Sequence, residues 1–415
     1  MSRLDALIQT LCPDGVEYKR MWELTTWDKK FNGIERYKQP SVVKYHYFLA
    51  NELKNLATEE GNVKLLFTST SEQGVTTEDK VGKYLCEGEI VAIPWGGNPQ
   101  VQYYKGKFVT SDNRIATSNN TCRLTNKFLY YWMISKLPSI ASFYRGSGIK
   151  HPSMAKVLDL KIPVPPLPVQ EEIVRILDTF TNVVEELETE LQAELGARVR
   201  QYEYYRDGLL SFNQSDTTSV SSPKIKALIQ TLSPDGVENG YLGDFATIET
   251  GTQLNLTAMT DQGLYPVING GISESGYYHE YNTDGNTITV SQGGASAGFV
   301  NFLRTKFWAG AHCYIVKPKN ARVNNKYIYY LLKNAEKTIQ NAKYGAGIPG
   351  LNKTSLQQLT IPIPPLPVQE EIVHILNRFD TLVNDLKSGL PAEISARRKQ
   401  YEYYRDKLLT FPPLK

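Results

Sequence analysis

Residues 162–212 recur, without a gap, 199 positions later as residues 361–411. One copy opens Ile162-Pro163-Val164-Pro165-Pro166-Leu167-Pro168, runs on through Val169-Gln170-Glu171-Glu172-Ile173-Val174, and closes Gln201-Tyr202-Glu203-Tyr204-Tyr205-Arg206-Asp207. In the other, Ile363 replaces Val164, His374 replaces Arg175, and the closing phrase returns unchanged at Gln400–Asp406. A shorter phrase is also repeated: Ala6–Leu11 with Pro13-Asp14-Gly15 returns as Ala227–Leu232 with Pro234-Asp235-Gly236, 221 positions on. The chain is therefore one plan written twice: short helix, variable middle, proline lead-in, long helix. The first middle is longer by 22 residues. A repeat of this length must be explained before any fold is assigned.

The prolines of the lead-in remove backbone donors and push their predecessors into extended conformation. Strong helix formers begin after Pro168, with Glu171 and Glu172 in the first turn, where the helix dipole favours negative charge. Apolar residues at Ile173, Ile176, Phe180, Val183 and Leu187 follow the alternating three–four spacing of a coiled-coil seam. The spacing slips to fours through Leu191, Leu195 and Val199. A helix from Val169 to Ser211 would be roughly 60 Å long at 1.5 Å per residue. The second copy matches through Ile372, Ile375, Phe379, Leu382 and Leu386, then reads Ser388-Gly389-Leu390-Pro391, so a bend is expected near Gly389. Two such amphipathic helices can bury each other's seams, most simply antiparallel; the other arrangement packs each only on its own neighbouring domain.

The chain of 415 residues is long enough for two to three domains. No run of 18 apolar residues signals a membrane span, and Met1–Asp5 has no apolar signal core. Cys12, Cys86, Cys122 and Cys313 show no CxxC spacing and read as reduced thiols in a cytoplasmic protein. The net charge of +3 hides a partition. Residues 162–212 carry 4 Lys/Arg against 10 Asp/Glu, and residues 361–411 carry 7 of each. Residues 1–161 carry 22 against 16, and residues 213–360 carry 12 against 10. The long helices are thus poor candidates for phosphate contact, and the positive excess lies chiefly in the first middle.

Both middles read as mixed, with more strand than helix. In the first, Val63–Thr68, Glu89–Pro94 and Val101–Tyr104 are strand-like, Trp95-Gly96-Gly97-Asn98-Pro99 is a turn, and Leu129–Leu137 is a short helix. In the second, Asn286–Val290 and Gly298–Phe302 flank the turn Ser291-Gln292-Gly293-Gly294, and Tyr327–Leu332 is the helix. Glycine-broken loops, Ser142–Ile149 and Tyr344–Ile348, lead into the proline segments. Asn213–Pro223 is a polar linker. Nearly identical frames around diverged middles suit a bivalent adaptor that reads two unlike targets.

The paired middles, the IPxPPLPVQEEIV lead-ins and the QYEYYRD helix ends resemble the DNA-specificity subunit of type I restriction–modification systems, over essentially the whole chain. The resemblance implies that the middles are target recognition domains and the helices a spacer. The expected fold is α+β: two mixed α/β target recognition domains joined by two long antiparallel helices in a coiled-coil spacer, related by a pseudo-two-fold repeat. The expected boundaries are 1–161 for the first domain, 162–212 for the first lead-in and helix, 213–223 for the linker, 224–360 for the second domain and 361–411 for the second lead-in and helix. The resemblance also implies partners: double-stranded DNA, two methyltransferase subunits and restriction subunits, with no membrane. S-adenosylmethionine and ATP are expected on those partners, and no cofactor, metal or catalytic residue in this chain. The residues agree, since neither a Walker A sequence nor an NPPY- or DPPY-like motif occurs and the five histidines lack metal-ligand spacing. The alternative is a structural adaptor that bridges two proteins without reading DNA.

Base reading needs Arg, Lys, Asn, Gln or Ser presented on loops or a helix, with neighbours on phosphate. The first middle offers Trp95, Asn98, Gln100, Arg145, Ser147 and Lys150; the second offers Ser291, Gln292, Ser296, Tyr344 and Asn352. Plain hairpins with solvated polar groups are the competing interpretation. Under the reading as a specificity subunit, each domain engages one half-site mainly through the major groove. The unlike half-sites lie about one helical turn, ~34 Å, apart, and each presents an adenine for a bound methyltransferase to flip out.

Overall fold

The computed structural model describes residues 2–212, 222–345 and 349–415. Most of the polar stretch expected as a linker, and the end of the Tyr344–Ile348 loop, lie outside the described residues. The chain divides into two compact units, Met1–Glu190 with Ala392–Lys415, and Leu191–Pro391. Each unit holds one variable middle and one half of each long helix, so the units cut across the sequence repeat.

Both long helices form. The first is Leu167–Leu210 and the second Leu366–Leu408. Each starts two residues before the expected Val: Pro168 and Pro367 sit in the first turn, where a missing N–H leaves no helical bond unmade. At the bend expected near Gly389 the chain stays helical, with Ser388–Pro391 inside the second long helix. Pro391 forfeits a single i→i−4 bond there, and flanking turns of strong helix formers carry the helix through it.

The lead-ins are strands. Lys161–Val164 pairs antiparallel with Glu17–Arg20, and Thr360–Ile363 with Glu238–Tyr241. Ribbons of only two strands leave edges at which the prolines need donate nothing. Gln170 is the latch behind the first ribbon. Its amide NH2 donates to the carbonyls of Arg123 (2.7 Å) and Pro165 (2.8 Å), and its Oε1 accepts from the N–H of Thr125 (3.0 Å). Gln369 repeats the arrangement on Arg322 (3.0 Å), Pro364 (2.7 Å) and Asn324 (2.8 Å). Each fully buried glutamine thus ties lead-in, long helix and the cap of the domain's short helix, Asn126–Ser135 or Asn325–Asn334.

The buried stripe on the first long helix is Val169, Ile173 and Leu177, and on the second Val368, Ile372 and Leu376; each packs into its own domain's core. Phe180 and Val183, expected in the helix–helix seam, are exposed. The i, i+4 spacing facing the domain won over the three–four spacing, because the domain offers the larger apolar surface to bury.

The helices also pair within each unit. In the first, Thr181 and Tyr401 hydroxyls lie 3.1 Å apart, and Arg398 grips Glu188 bidentately at 2.5 and 2.7 Å. Numbers rise along one helix as they fall along the other, which is antiparallel pairing. In the second unit Tyr205 stacks on Phe379 with ring centres 5.5 Å apart. The repeated tyrosines split in role: Tyr202 and Tyr401 pack against the cores, whereas Tyr204 and Tyr403 face solvent.

The first middle is built on six strands, in the order Thr25–Trp27, Asn113–Ser118, Cys86–Pro94, Gln102–Thr110, Val63–Leu66, Val75–Thr76. All pairs are antiparallel except Val63–Leu66 with Gln102–Thr110. The second middle has a four-stranded sheet ordered Ala246–Thr250, Cys313–Pro318, Thr287–Ser291, Val300–Leu303. Beside it lies a three-stranded sheet of Gly276–Tyr278, Tyr265–Ile268 and Trp308–Ala309. Buried Trp27, Phe128 and Trp132 centre the first core, and Tyr327, Tyr330 and Val316 the second.

Candidate nucleic-acid interface

In the first unit, strand Cys86–Pro94 ends in the Trp95–Gly97 turn, which is held from three directions. The Trp95 N–H donates to the Asp112 carbonyl at 2.9 Å, and the Gly97 N–H to the Lys150 carbonyl at 3.1 Å. His151 Nδ1 lies 2.8 Å from the Trp95 carbonyl. A carbonyl only accepts, so Nδ1 carries the proton. A Cβ at Gly96 would come within 2.8 Å of the Ile149 side chain, so a larger residue there would have to push that exposed side chain aside. The turn thereby meets the Tyr144–Arg145/His151–Pro152 hairpin, some fifty residues away in sequence. Two loops identified separately from sequence form one surface.

Under that surface sits Arg114, a buried cation. Its guanidinium donates to Asp28 at 2.8 Å and to Asp112, and lies 5.1 Å from the centre of the Trp95 ring. Asp28 also accepts from the Ile115 N–H at 3.0 Å and from the Tyr47 hydroxyl. Burial, reinforced by the Asp28 carboxylate, holds the Tyr47 phenol far above its usual range, so it remains a donor. Removing one partner from such a site would leave an uncompensated buried charge. The network therefore stiffens the floor beneath Trp95.

Asn98, Arg145, Ser147 and Lys150 are exposed, and their side chains make no hydrogen bond or ion pair with a described residue. Gln100 differs: its NH2 donates to the Thr68 carbonyl, and its Oε1 accepts from the Thr70 hydroxyl at 3.0 Å. It orders the neighbouring loop. Sequence reasoning missed Lys29 and Lys30, which with Phe31, Trp95, Pro152 and Ser153 line a cleft of about 370 Å³. Lys29 Nζ stands 5.2 Å from the Trp95 ring centre. The adjacent lysines in the more basic half were the available signal. Lys29, Lys30, Arg145 and Lys150 have no carboxylate within 4.0 Å among the described residues, so their charge is open to an incoming polyanion.

The second unit brings its loops together in the same manner. The Gly294 N–H donates to the Pro349 carbonyl at 2.9 Å, and the Leu351 N–H to the Gln292 carbonyl at 2.7 Å. Tyr344 and Gly350 exchange two backbone bonds of 2.9 Å. Tyr344 is well exposed, and Gln292 and Ser296 are half-buried. Ser291 is buried, with its hydroxyl donated to the Gly270 carbonyl, so it supports the turn from beneath. Asn352 caps the helix Lys353–Gln357, its Oδ1 accepting the Thr354 N–H at 3.0 Å. Lys343, not singled out from sequence, reaches over the glycine turn to the Ala295 carbonyl at 3.2 Å.

The sequence profile of the type I restriction modification DNA specificity domain matches this chain twice, over residues 41–197 and 234–396. The chain belongs to that family. It is 31% identical over 322 residues to a type I restriction enzyme specificity subunit of Escherichia coli, spanning 74% of this chain and 76% of the relative. A Haemophilus influenzae chain described as a type I restriction enzyme specificity subunit is 30% identical over 352 residues, 80% of this chain and 86% of its own. In fold, it is similar to the S subunit of a type I restriction–modification system from M. genitalium, with a TM-score of 0.53 at 19% identity, covering 95% and 96% of the two chains.

As a type I specificity subunit, the chain is the DNA sequence-recognition component, and catalysis resides on partner subunits. The two profile matches each include one loop surface, so the repeated architecture and the doubled recognition domain coincide.

Proposed function

We propose that the two loop surfaces read two unlike half-sites of one bipartite, asymmetric DNA sequence, while the repeated frames dock two methyltransferase subunits. The observation that carries this reading is the construction common to both units. A glycine turn at a strand end is hydrogen-bonded to a distant loop just before the proline lead-in, Gly97 to Lys150 and Gly294 to Pro349. The scaffold is held in common and the presented side chains differ, which suits two readers of different base pairs.

In the first unit the proposed readers are Asn98, Arg145 and Ser147, with Lys29, Lys30 and Lys150 on phosphate and Trp95 as an apolar platform. In the second they are Gln292, Ser296 and Tyr344, with Lys343 on phosphate. Gln100, Ser291 and Asn352 act by holding the loops. Each half-site presents one adenine, which a methyltransferase flips out for modification using S-adenosylmethionine held on its own subunit. Restriction subunits carrying ATP join the same cytoplasmic assembly.

The test is a gel shift of the complex with its methyltransferase partner, using a cognate duplex and excess competitor DNA across salt concentrations. Specific binding that survives competitor and weakens steeply with salt is expected. Binding abolished by any competitor duplex would favour a scaffold that bridges proteins without reading sequence.

A further inference from the structure

The second unit holds a charged cavity. It has a volume of about 590 Å³ and lies between the short helix Asn325–Asn334 and the halves of the two long helices in that unit. It is away from the reading surface. Phe302 and Arg304 border it at the Leu303 end of the strand pair Thr287–Ser291/Val300–Leu303, and Gln292 leaves the opposite end.

At its wall stands Lys326, with its ammonium 3.7 Å from the Phe302 ring centre and 4.3 Å from that of Tyr329. The counterpart 199 positions earlier is Lys127, 4.2 Å from the Tyr103 ring centre. Lys127, however, is neutralised by Asp178 at 3.3 Å, and Asp178 also accepts from the Tyr131 hydroxyl. At the matching position the second unit has Asn377, which accepts from the Tyr330 hydroxyl at 2.9 Å but brings no charge. Lys326 makes no ion pair or hydrogen bond with a described residue. Burial, the main cause, pushes its amine down to about 8, outweighing the opposing pull of the Asp380 carboxylate, which lies beyond ion-pair distance.

The rest of the lining follows the same trend. Arg304, Lys337 and Lys387 face the cavity and have no carboxylate within 4.0 Å among the described residues. Their counterparts in the first unit are Lys105, Pro138 and Glu188. Of the cavity's four carboxylates, Asp207 is held by Arg206 (2.8 Å) and Glu336 by Lys333 (2.7 Å), leaving Glu203 and Asp380. Four unpaired cations against two unpaired carboxylates leave an uncompensated charge of two.

From this juxtaposition we propose that the cavity is a binding site for a phosphate oxyanion, either free phosphate or a phosphomonoester, with Lys326 as its principal ligand. A dianion balances the charge. The aromatic rings of Tyr202, Phe302 and Tyr329 leave room and apolar surface for an organic group beside the phosphate. Only the second unit carries the site, because Asp178 already fills the anionic role in the first.

The full chain is titrated with inorganic phosphate and with phenyl phosphate at matched ionic strength, using sodium chloride as reference, and followed by calorimetry and thermal unfolding. Saturable binding and a raised unfolding midpoint relative to chloride are expected for at least one probe. A stronger response to phenyl phosphate identifies an ester as the ligand, and equal responses identify the free ion. Lys326→Gln and, independently, Asn377→Asp should each weaken binding about tenfold, the scale of one lost charge-assisted contact. Asn377→Asp is nearly isosteric and restores the carboxylate of the first unit, so it separates loss of the site from loss of the fold. No response beyond chloride, or unchanged binding in both variants, overturns the proposal.

Discussion

Replacing Gln170 by methionine isolates the latch that joins the recognition domain to its helix. The glutamine is fully buried, and its amide serves three backbone groups: the Thr125 N–H and the carbonyls of Arg123 and Pro165. Methionine has nearly the same volume, so no sizeable cavity opens, and the loss is one of hydrogen bonding. Each orphaned neutral group costs about 1–3 kcal/mol where water cannot reach it. Three such groups, with partial relaxation, give a loss of at least about 3 kcal/mol. That is a large share of the roughly 5–15 kcal/mol that holds a typical domain folded. Urea denaturation of the complete chain measures the loss, and amide hydrogen exchange locates it, with faster exchange expected at Phe128–Met133. Gln369→Met should cost a similar amount but accelerate exchange at Tyr327–Leu332. A loss below about 1 kcal/mol, or exchange unchanged at these helices, would refute the latch.

Other expectations follow from single contacts. Arg145→Ala, removing an exposed and unpartnered guanidinium, should lower the salt dependence of DNA binding by about one phosphate contact or relax one base position; identical binding at every salt concentration would remove Arg145 from the interface. Gly96→Ala forces a methyl group against Ile149, so recognition of one half-site should fall while far-UV circular dichroism stays native; intact recognition would mean that the turn need not meet the hairpin. Arg398, by hydrogen bonding, holds the Glu188 carboxyl below its usual range. Its contribution is present above the ordinary glutamate value and fades as pH falls through the lower folded value, so the stability difference between wild type and Glu188→Gln should shrink on acidification. For Lys326 the sign is opposite to the usual lysine ion pair: the folded chain releases this proton near pH 8, before the unfolded chain does near ~10.4. Its burial penalty is full below pH 8 and eases as pH rises to the unfolded value; a lysine resonance titrating above 10 would contradict the environment described.

The repeat made the frame legible, because a gapless offset of 199 positions marks the same structure twice. Proline chemistry gave the extended lead-ins, and alternating patterns gave strands such as Val63–Leu66 and Thr287–Ser291. The face of the helix was harder. Phe180 and Val183 fit a coiled-coil spacing, yet Val169, Ile173 and Leu177 are the residues buried, because a partner surface distant in sequence decides which stripe is covered. Pro391 illustrates a second gap: a local penalty predicts strain, but neighbouring turns determine whether the helix survives it. At the site, the glycine turns were visible as turns, whereas the bond from Gly97 to Lys150 joins segments some fifty residues apart and has no local signature. Exposure was equally hidden. Ser291 and Asn98 look alike as short polar residues beside glycines, yet one donates inward beneath a turn and the other stands free.

The decisive measurement is single-molecule sequencing of methylated adenines in DNA from cells that carry this chain with its methyltransferase partner. The expected motif has two short, unlike blocks separated by a fixed unspecified gap, with one modified adenine in each. Exchange of residues 17–161 for the same segment of another family member should rewrite one block and leave the other. A continuous or palindromic motif, or an exchange that alters both blocks, would contradict two independent readers on a duplicated frame.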